Sequence, residues 1–237
     1  MGSFYMLNSW KTKLSLACVF SSLFVASHGF AAGMVPETSL LVINEDSMGG
    51  SINIKNTDTK PALLYTTIND LPDDKGTHVI VTQPVVRVEA GQTQQLRFVL
   101  QTDAPLKVEH MKRVIFEGIP PKSTEKNKVT INIRQDLPIL IHPKGLPEVQ
   151  DAWTKMTWNQ TAKGLVLKND TPYVVRFATQ VELLPAHIAG RLDKTYILPG
   201  QSMDVHTDKP VSGIKQVKFV PASRYGIQVP SYTADVK

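Results

Sequence analysis

Along much of this chain apolar residues come in short runs, several of them alternating, broken by glycine, proline and asparagine. Residues 40–43 form a first such run, and Gly49 and Gly50 mark the turn expected after it. Residues 51–56 alternate, which puts Ile52 and Ile54 on one face of a strand. Further strands are expected over residues 61–68, 79–81, 85–88, 94–100 and 113–116, with a longer one over 129–141. Pro84 separates two of them because proline cannot donate to a central ladder. Residues 72–76, Pro-Asp-Asp-Lys-Gly, supply the backbone angles of a turn. Seven to eight strands in about 105 residues is the spacing of an immunoglobulin-like β-sandwich.

Residues 143–147, Pro-Lys-Gly-Leu-Pro, read as an interdomain joint, stiffened by two prolines and bent at Gly145. A second set of short strands is expected from Trp153 to about Val229, with turns at Asn169 and Asp170, at residues 198–200 and at Tyr225 and Gly226. No stretch has helical period with convincing caps. The expected fold class is all-β, with two immunoglobulin-like β-sandwich domains over residues 32–143 and 144–237.

The N-terminus adds a compartment. Lys11 and Lys13 precede an apolar run over residues 14–26, and the small residues Gly29 and Ala31 follow, two apart. The run is too short for a hydrocarbon core of about 30 Å. It reads as a secretory signal peptide over residues 1–31, cleaved after Ala31. No later segment is apolar for long enough to span a bilayer, so no membrane span is expected after cleavage. The only cysteine, Cys18, lies in the signal, so the exported chain forms no disulfide and no thiolate zinc site. The formal net charge of +5 is modest and scattered, which gives no reason to expect nucleic acid as a partner.

Enzyme chemistry finds no foothold. No metalloprotease, nucleophile-elbow, phosphate-loop or dinucleotide motif occurs. His78, His110, His142, His187 and His206 lie on separate elements without metal-ligand spacing, so no metal site is expected. Asp73 and Asp74 fall in a turn, where aspartate is favoured for backbone reasons. Catalytic residues and cofactors are therefore expected to be absent. Asn159-Gln-Thr161 and Asn169-Asp-Thr171 match the N-glycosylation sequon.

Several blocks, taken together and in order, resemble the PapD-like periplasmic chaperones of pilus (fimbrial) assembly. In the first half they are residues 82–91 with 96–98, residues 109–116 leading to 119–121, and residues 127–133 running to 139–143. In the second half they are residues 167–173, 198–200 and 224–226. The resemblance implies two immunoglobulin-like domains set in an L, a cleft between them, and a periplasmic chaperone without enzymatic activity. Such a chaperone lends its last first-domain strand to a pilus subunit that lacks one, and passes the subunit to an outer-membrane usher. A subunit in that state exposes a groove and unpaired edges, which β-addition satisfies. The family's donor positions fall on Val129, Ile131 and Ile133, although their alternation alone is equally that of a strand facing its own core. The short loop over residues 122–127, with no cysteine pair around it, resembles the short-loop branch, whose clients are mostly rod-shaped pili.

Two departures matter. The family holds the subunit's terminal carboxylate between a first-strand Arg and a last-strand Lys. Here residues 38–43 contain no base, and the Lys position is Pro138. The candidates left are Arg113, then Arg134, with Thr38 or Ser39 as hydroxyl donors. Arg134 is out of parity with residues 129, 131 and 133 and is expected to need a bulge to face the cleft. The family's interdomain ion-pair network maps onto Glu109, His142 and Arg224, with an acid in the first domain, a base in the second and a titratable histidine at the joint. The alternative function is a two-domain immunoglobulin-like adhesin or ligand-binding module.

Overall fold

The structure, a computed structural model, describes residues 33–122, 132–162 and 164–237. Its regular elements are strands, apart from two one-turn 3-10 segments at Glu45–Ser47 and Ala152–Lys155. The first nine strands are β1 (Met34–Pro36), β2 (Leu41–Asn44), β3 (Gly49–Asn56), β4 (Ala62–Asp70), β5 (Thr77–Val81), β6 (Val85–Val88), β7 (Thr93–Thr102), β8 (His110–Ile119) and β9 (Arg134–His142). They are hydrogen-bonded in the order β5-β7-β3-β2-β9-β8-β4-β6, with β1 beside β3. Ile52, Ile54, Leu96 and Phe98 from one part of this ladder share a core with Leu64, Val114, Phe116 and Ile139 from the other. Each strand contributes alternate residues to that core, as half-buried strands must.

The second set is β10 (Thr157–Thr161), β11 (Gly164–Lys168), β12 (Val175–Leu184), β13 (Ile188–Arg191), β14 (Tyr196–Ile197), β15 (Ser202–Thr207), β16 (Gln216–Pro221) and β17 (Tyr232–Asp235). Its order is β10-β11-β15-β13-β12-β16-β17, with β14 beside β12. Trp158 is fully buried, with its ring centroid 5.4 Å from that of Phe219, and Phe177 and Tyr232 meet Phe219 edge-on. The two-sandwich, all-β class expected from strand spacing is the class observed.

Several local expectations are corrected. Gly49 and Gly50 do not turn the chain; they open β3, and the turn is made by residues 45–47 and Met48, which has φ 49°. The glycines serve close approach instead: a Cβ on Gly49 would lie 2.3 Å from the Phe98 carbonyl oxygen, and one on Gly50 2.8 Å from that of Val42. Among the described residues the first sandwich has nine strands rather than seven to eight, because Met34–Pro36 adds a short edge strand. The second set does not stop near residue 229 but continues through β17 to Asp235. The long strand expected over 129–141 is assigned as strand only from Arg134, and Val129 and Ile131 lie outside the described residues. Asn169 is no glycan acceptor: it is wholly buried and its amide donates to the carbonyls of Tyr173 and Ile197.

Candidate functional site: an open strand edge and the joint beside it

The site starts from the register of β9. Antiparallel to β8, it pairs without a break from Ile141 opposite His110 to Arg134 opposite Glu117. Parallel to β2, it pairs only from Ile139 to His142. Among the described residues, positions 134–138 thus carry a ladder on one side and an open edge on the other. Pro138, the residue next to the start of the β2 pairing, has no N–H to leave unsatisfied there.

Parity then assigns the faces. Leu137, Ile139 and Ile141 point into the first core. Ile133 continues that odd-numbered parity, yet is 41% exposed. Among the described residues the apolar row therefore reaches past its own core, to an exposed Ile133. The even residues of β9 lie on the other face, opposite Met111, Arg113, Ile115 and Glu117 of β8. Arg134 accordingly shares a face with Arg113 through an unbroken register and lies out of parity with Ile133, as its position in the sequence implies. Leu63 and Tyr65 of β4 and Val85 of β6 add exposed apolar area beside these strands.

The cations on this face are engaged. Arg113 donates from Nε to the Asp136 carboxylate and from Nη2 to its carbonyl, each at 2.8 Å. Arg134, largely exposed, donates from Nε to Glu117 at 2.8 Å. Thr38 spends its hydroxyl on the Leu40 carbonyl, whereas Ser39 is exposed and its Oγ lies within 3.0 Å of where a Cβ on Gly226 would stand. The Arg176 guanidinium borders the same point at 3.4 Å. Sequence reasoning missed Arg176, which sits on β12 among apolar residues and gave no motif. Its Nη2 donates to the Ser223 carbonyl at 3.1 Å, and no ion pair to it is seen among the described residues. Burial lowers its pKa, and the charge of Arg113 pushes in the same direction, so the two arginines stand close enough to feel each other.

Glu109, His142 and Arg224 come together at the joint. Arg224 Nη1 and His142 Nδ1 both reach Glu109 Oε1, at 2.5 and 2.9 Å, while Val174 N–H donates to Oε2 at 2.9 Å. All three side chains are buried. The Glu109 N–H also donates to the Pro172 carbonyl, so both side chain and backbone of one residue bridge the sandwiches. The joint itself turns around His142: its Nε2 faces the Leu146 carbonyl at 2.8 Å, and Gly145 holds φ 80°.

A second tie was read from the sequence as mere turn chemistry. Asp73 accepts from Lys194 at 2.5 Å and from Gln201 at 3.0 Å, both in the second sandwich. Its neighbour Asp74 is buried and accepts from Met111 N–H at 2.8 Å and meets His110 Nδ1 at 2.5 Å. Lys112, almost wholly buried, donates to the Asp74 carbonyl and pairs with Asp70 at 3.1 Å. The turn over residues 72–76 is thus fastened to β8 on one side and to the second sandwich on the other. The signal was available as two adjacent carboxylates opposite a lysine in a strand, but its partners are more than 30 residues away.

Comparison with known proteins agrees with this geometry. Residues 33–147 match the family model of the pili and flagellar-assembly chaperone PapD N-terminal domain, and residues 151–233 that of the PapD C-terminal domain. The chain is 49% identical over 208 residues to the uncharacterized fimbrial chaperone YhcA of Escherichia coli K12, covering 87% of this chain and 92% of that protein. The Salmonella enterica SafB chaperone, solved in complex with SafA pilin, superposes with TM-score 0.70 at 16% identity, over 87% of this chain and 97% of SafB. The YadV chaperone gives TM-score 0.68 at 19% identity, over 85% of this chain and 98% of YadV. The chain belongs to the PapD-like family of pilus-assembly chaperones.

Proposed function

We propose that this chaperone works in the periplasm, after removal of residues 1–31, and captures pilus subunits by donating Val129, Ile131 and Ile133 to the groove of a subunit that lacks its last strand. The observation that carries the reading is the uncovered end of the β9 apolar row beside an open ladder edge. Backbone groups along that edge satisfy an incoming strand, while the alternate apolar side chains fill the groove. The complex is then handed to an outer-membrane usher, by binding alone and without catalysis, metal or nucleotide. The family models are those of a chaperone, which leaves the adhesin or ligand-binding alternative without support.

In this reading the subunit's terminal carboxylate is met at the cleft by Arg113, with Arg176 and Ser39 beside it. Arg134 is assigned to second rank, because it is exposed and already paired to Glu117. Glu109, His142 and Arg224 hold the domains at the angle that lets strand and cleft act on one client.

The test is capture of a purified, strand-deficient subunit by wild-type chain and by Ile131→Asp. A stoichiometric complex is expected with the first and none with the second, because a charge in a dry groove costs several kcal/mol. An unimpaired Ile131→Asp complex would remove strand donation from the account.

A further inference from the structure

We infer that the joint between the two sandwiches binds one small inorganic anion of halide size, on the guanidinium groups of Arg224 and Arg176. The inference rests on the joint alone and stands whether or not strand donation is the mode of capture. Arg224 is engaged on one side only. Its Nη1 donates to Glu109 Oε1, whereas Nη2 is buried and has no hydrogen-bond partner. Glu148 Oε1 stands 3.8 Å from Nη2, beyond hydrogen-bond reach, on an exposed side chain. The Arg224 side chain as a whole is 4% exposed. A buried donor on a charged group that lacks an acceptor is destabilising, and native structures satisfy such groups with a water or an ion where the chain does not.

Space for that partner adjoins it. Arg224, Arg176, Ser223 and Trp153 of the second sandwich, with Glu109 and Leu140 of the first, line a cavity of about 20 Å³. One water-sized body needs roughly 10–15 Å³ of such space, so the cavity holds a single small body and not the end of a peptide. Charge decides what that body is. Two guanidiniums face one carboxylate, and the carboxylate is taken on both oxygens, Oε1 by Arg224 and His142 and Oε2 by Val174 N–H. The Ser223 carbonyl already accepts from Arg176 Nη2. A water wants acceptors as well as donors, whereas an anion takes donors alone, and bonds from a cation to an anion are the stronger kind. The electrostatics of Arg176 agree. Burial lowers its pKa, the charge of Arg113 adds to that, and only Glu109 opposes them, so positive potential at this wall is incompletely compensated.

Bound there, the anion gives Arg224 Nη2 the acceptor it lacks and screens two like charges of the second sandwich from each other. It does so beside the Glu109 contact that ties in the first sandwich, so the stability of the joint depends on the anion in solution as well as on protein groups.

The test uses the free chaperone, with chloride and bromide as probes. Thermal midpoints are read at constant ionic strength while sodium gluconate is exchanged for sodium chloride. The wild-type midpoint should rise and follow a one-site dependence on chloride. Arg176→Gln should weaken the chloride response roughly tenfold or more, as loss of one hydrogen bond to a charged group does. Glu148→Gln, which removes a carboxylate competing for Arg224, should strengthen it. Bromide-soaked crystals of wild type should give an anomalous peak within hydrogen-bond distance of Arg224 Nη2. A midpoint indifferent to chloride overturns the inference, and so does a chloride response that Arg176→Gln leaves intact. A response to sodium acetate without one to chloride would hand the cavity to carboxylates and overturn it as well. Should the variants fail to fold, the wild-type crystal decides: a water or the Glu148 carboxylate on Arg224 Nη2, with no bromide there, sinks the proposal.

Discussion

Glu109 and Arg224, 115 residues apart in sequence, meet at 2.5 Å with side chains 2% and 4% exposed. A pair so buried behaves unlike a surface ion pair. Its net worth against an apolar pair is small, but removing one partner leaves a charge in the joint without compensation. Arg224→Ala is expected to lower the stability of the chain by about 3–5 kcal/mol. Urea unfolding would measure it, and a loss under about 1 kcal/mol would show that water reaches Glu109 freely.

The apolar row leading into β9 predicts opposite outcomes at two residues three pleat repeats apart. Ile139 is fully buried in the first core, and Ile133 is 41% exposed at the uncovered end. Ile139→Asp should prevent folding, whereas Ile133→Asp should change stability by no more than about 0.5 kcal/mol while impairing subunit capture. Thermal unfolding and pull-down of the two variants separate these effects. A collapsed midpoint in Ile133→Asp would return that residue to the core.

The carboxylate reading is tested by titrating a subunit, or its C-terminal peptide, against Arg113→Ala, Arg176→Ala and wild type. Loss of one hydrogen bond to a charged group is expected to weaken binding roughly 10- to 150-fold. An amidated terminus should remove the same increment from wild type. If amidation has no effect, the terminus is not read, and strand addition carries the affinity.

The Asp73 tie has a defined pH limb. Burial raises the pKa of its carboxyl, but hydrogen bonds from Lys194 and Gln201 outweigh burial and hold it below the usual 3.8. A depressed carboxylate contributes stability above its unfolded value and loses it as pH falls through its folded value. Asp73→Asn should therefore be less stable than wild type near neutrality, by about 1 kcal/mol or less since Lys194 is well exposed, with the gap closing below pH 3.8. Thermal midpoints from pH 2 to 7 give the comparison. A gap that persists in strong acid would mean that something other than the carboxylate charge holds that turn.

Gly49→Ala and Gly33→Ala make a matched pair. The first would drive a methyl to 2.3 Å from the Phe98 carbonyl, and the second meets nothing within 4 Å, although its φ of 138° strains any side chain. Gly49→Ala should lose about 1–3 kcal/mol or more as β3 and β7 are pushed apart, more than Gly33→Ala. Urea unfolding ranks them.

The sequence disclosed those features whose cause is local. Period-two alternation located Ile52 and Ile54, and Pro and Gly located the joint. Gly49 and Gly50 were misread because a glycine demanded by a neighbouring backbone looks the same in sequence as one demanded by a turn. Arg176 stayed hidden because its meaning depends on Ser39 and Gly226, which lie far along the chain and in different domains. Glu109, His142 and Arg224 were matched to one another through family resemblance, but their burial was not visible in spacing.

An unpaired ladder edge does not discriminate among strands. The unpaired groups of residues 134–137 that would receive a subunit would equally receive another copy of themselves. Were the edge used in both ways, concentrated chaperone would compete with its own clients and dilute chaperone would not. Pro138 shortens the stretch on which such self-pairing could run by removing one donor beside the β2 ladder. On the proposed reading of that edge, the number of chaperones free to work would be bounded from above by the same unpaired groups that receive a client.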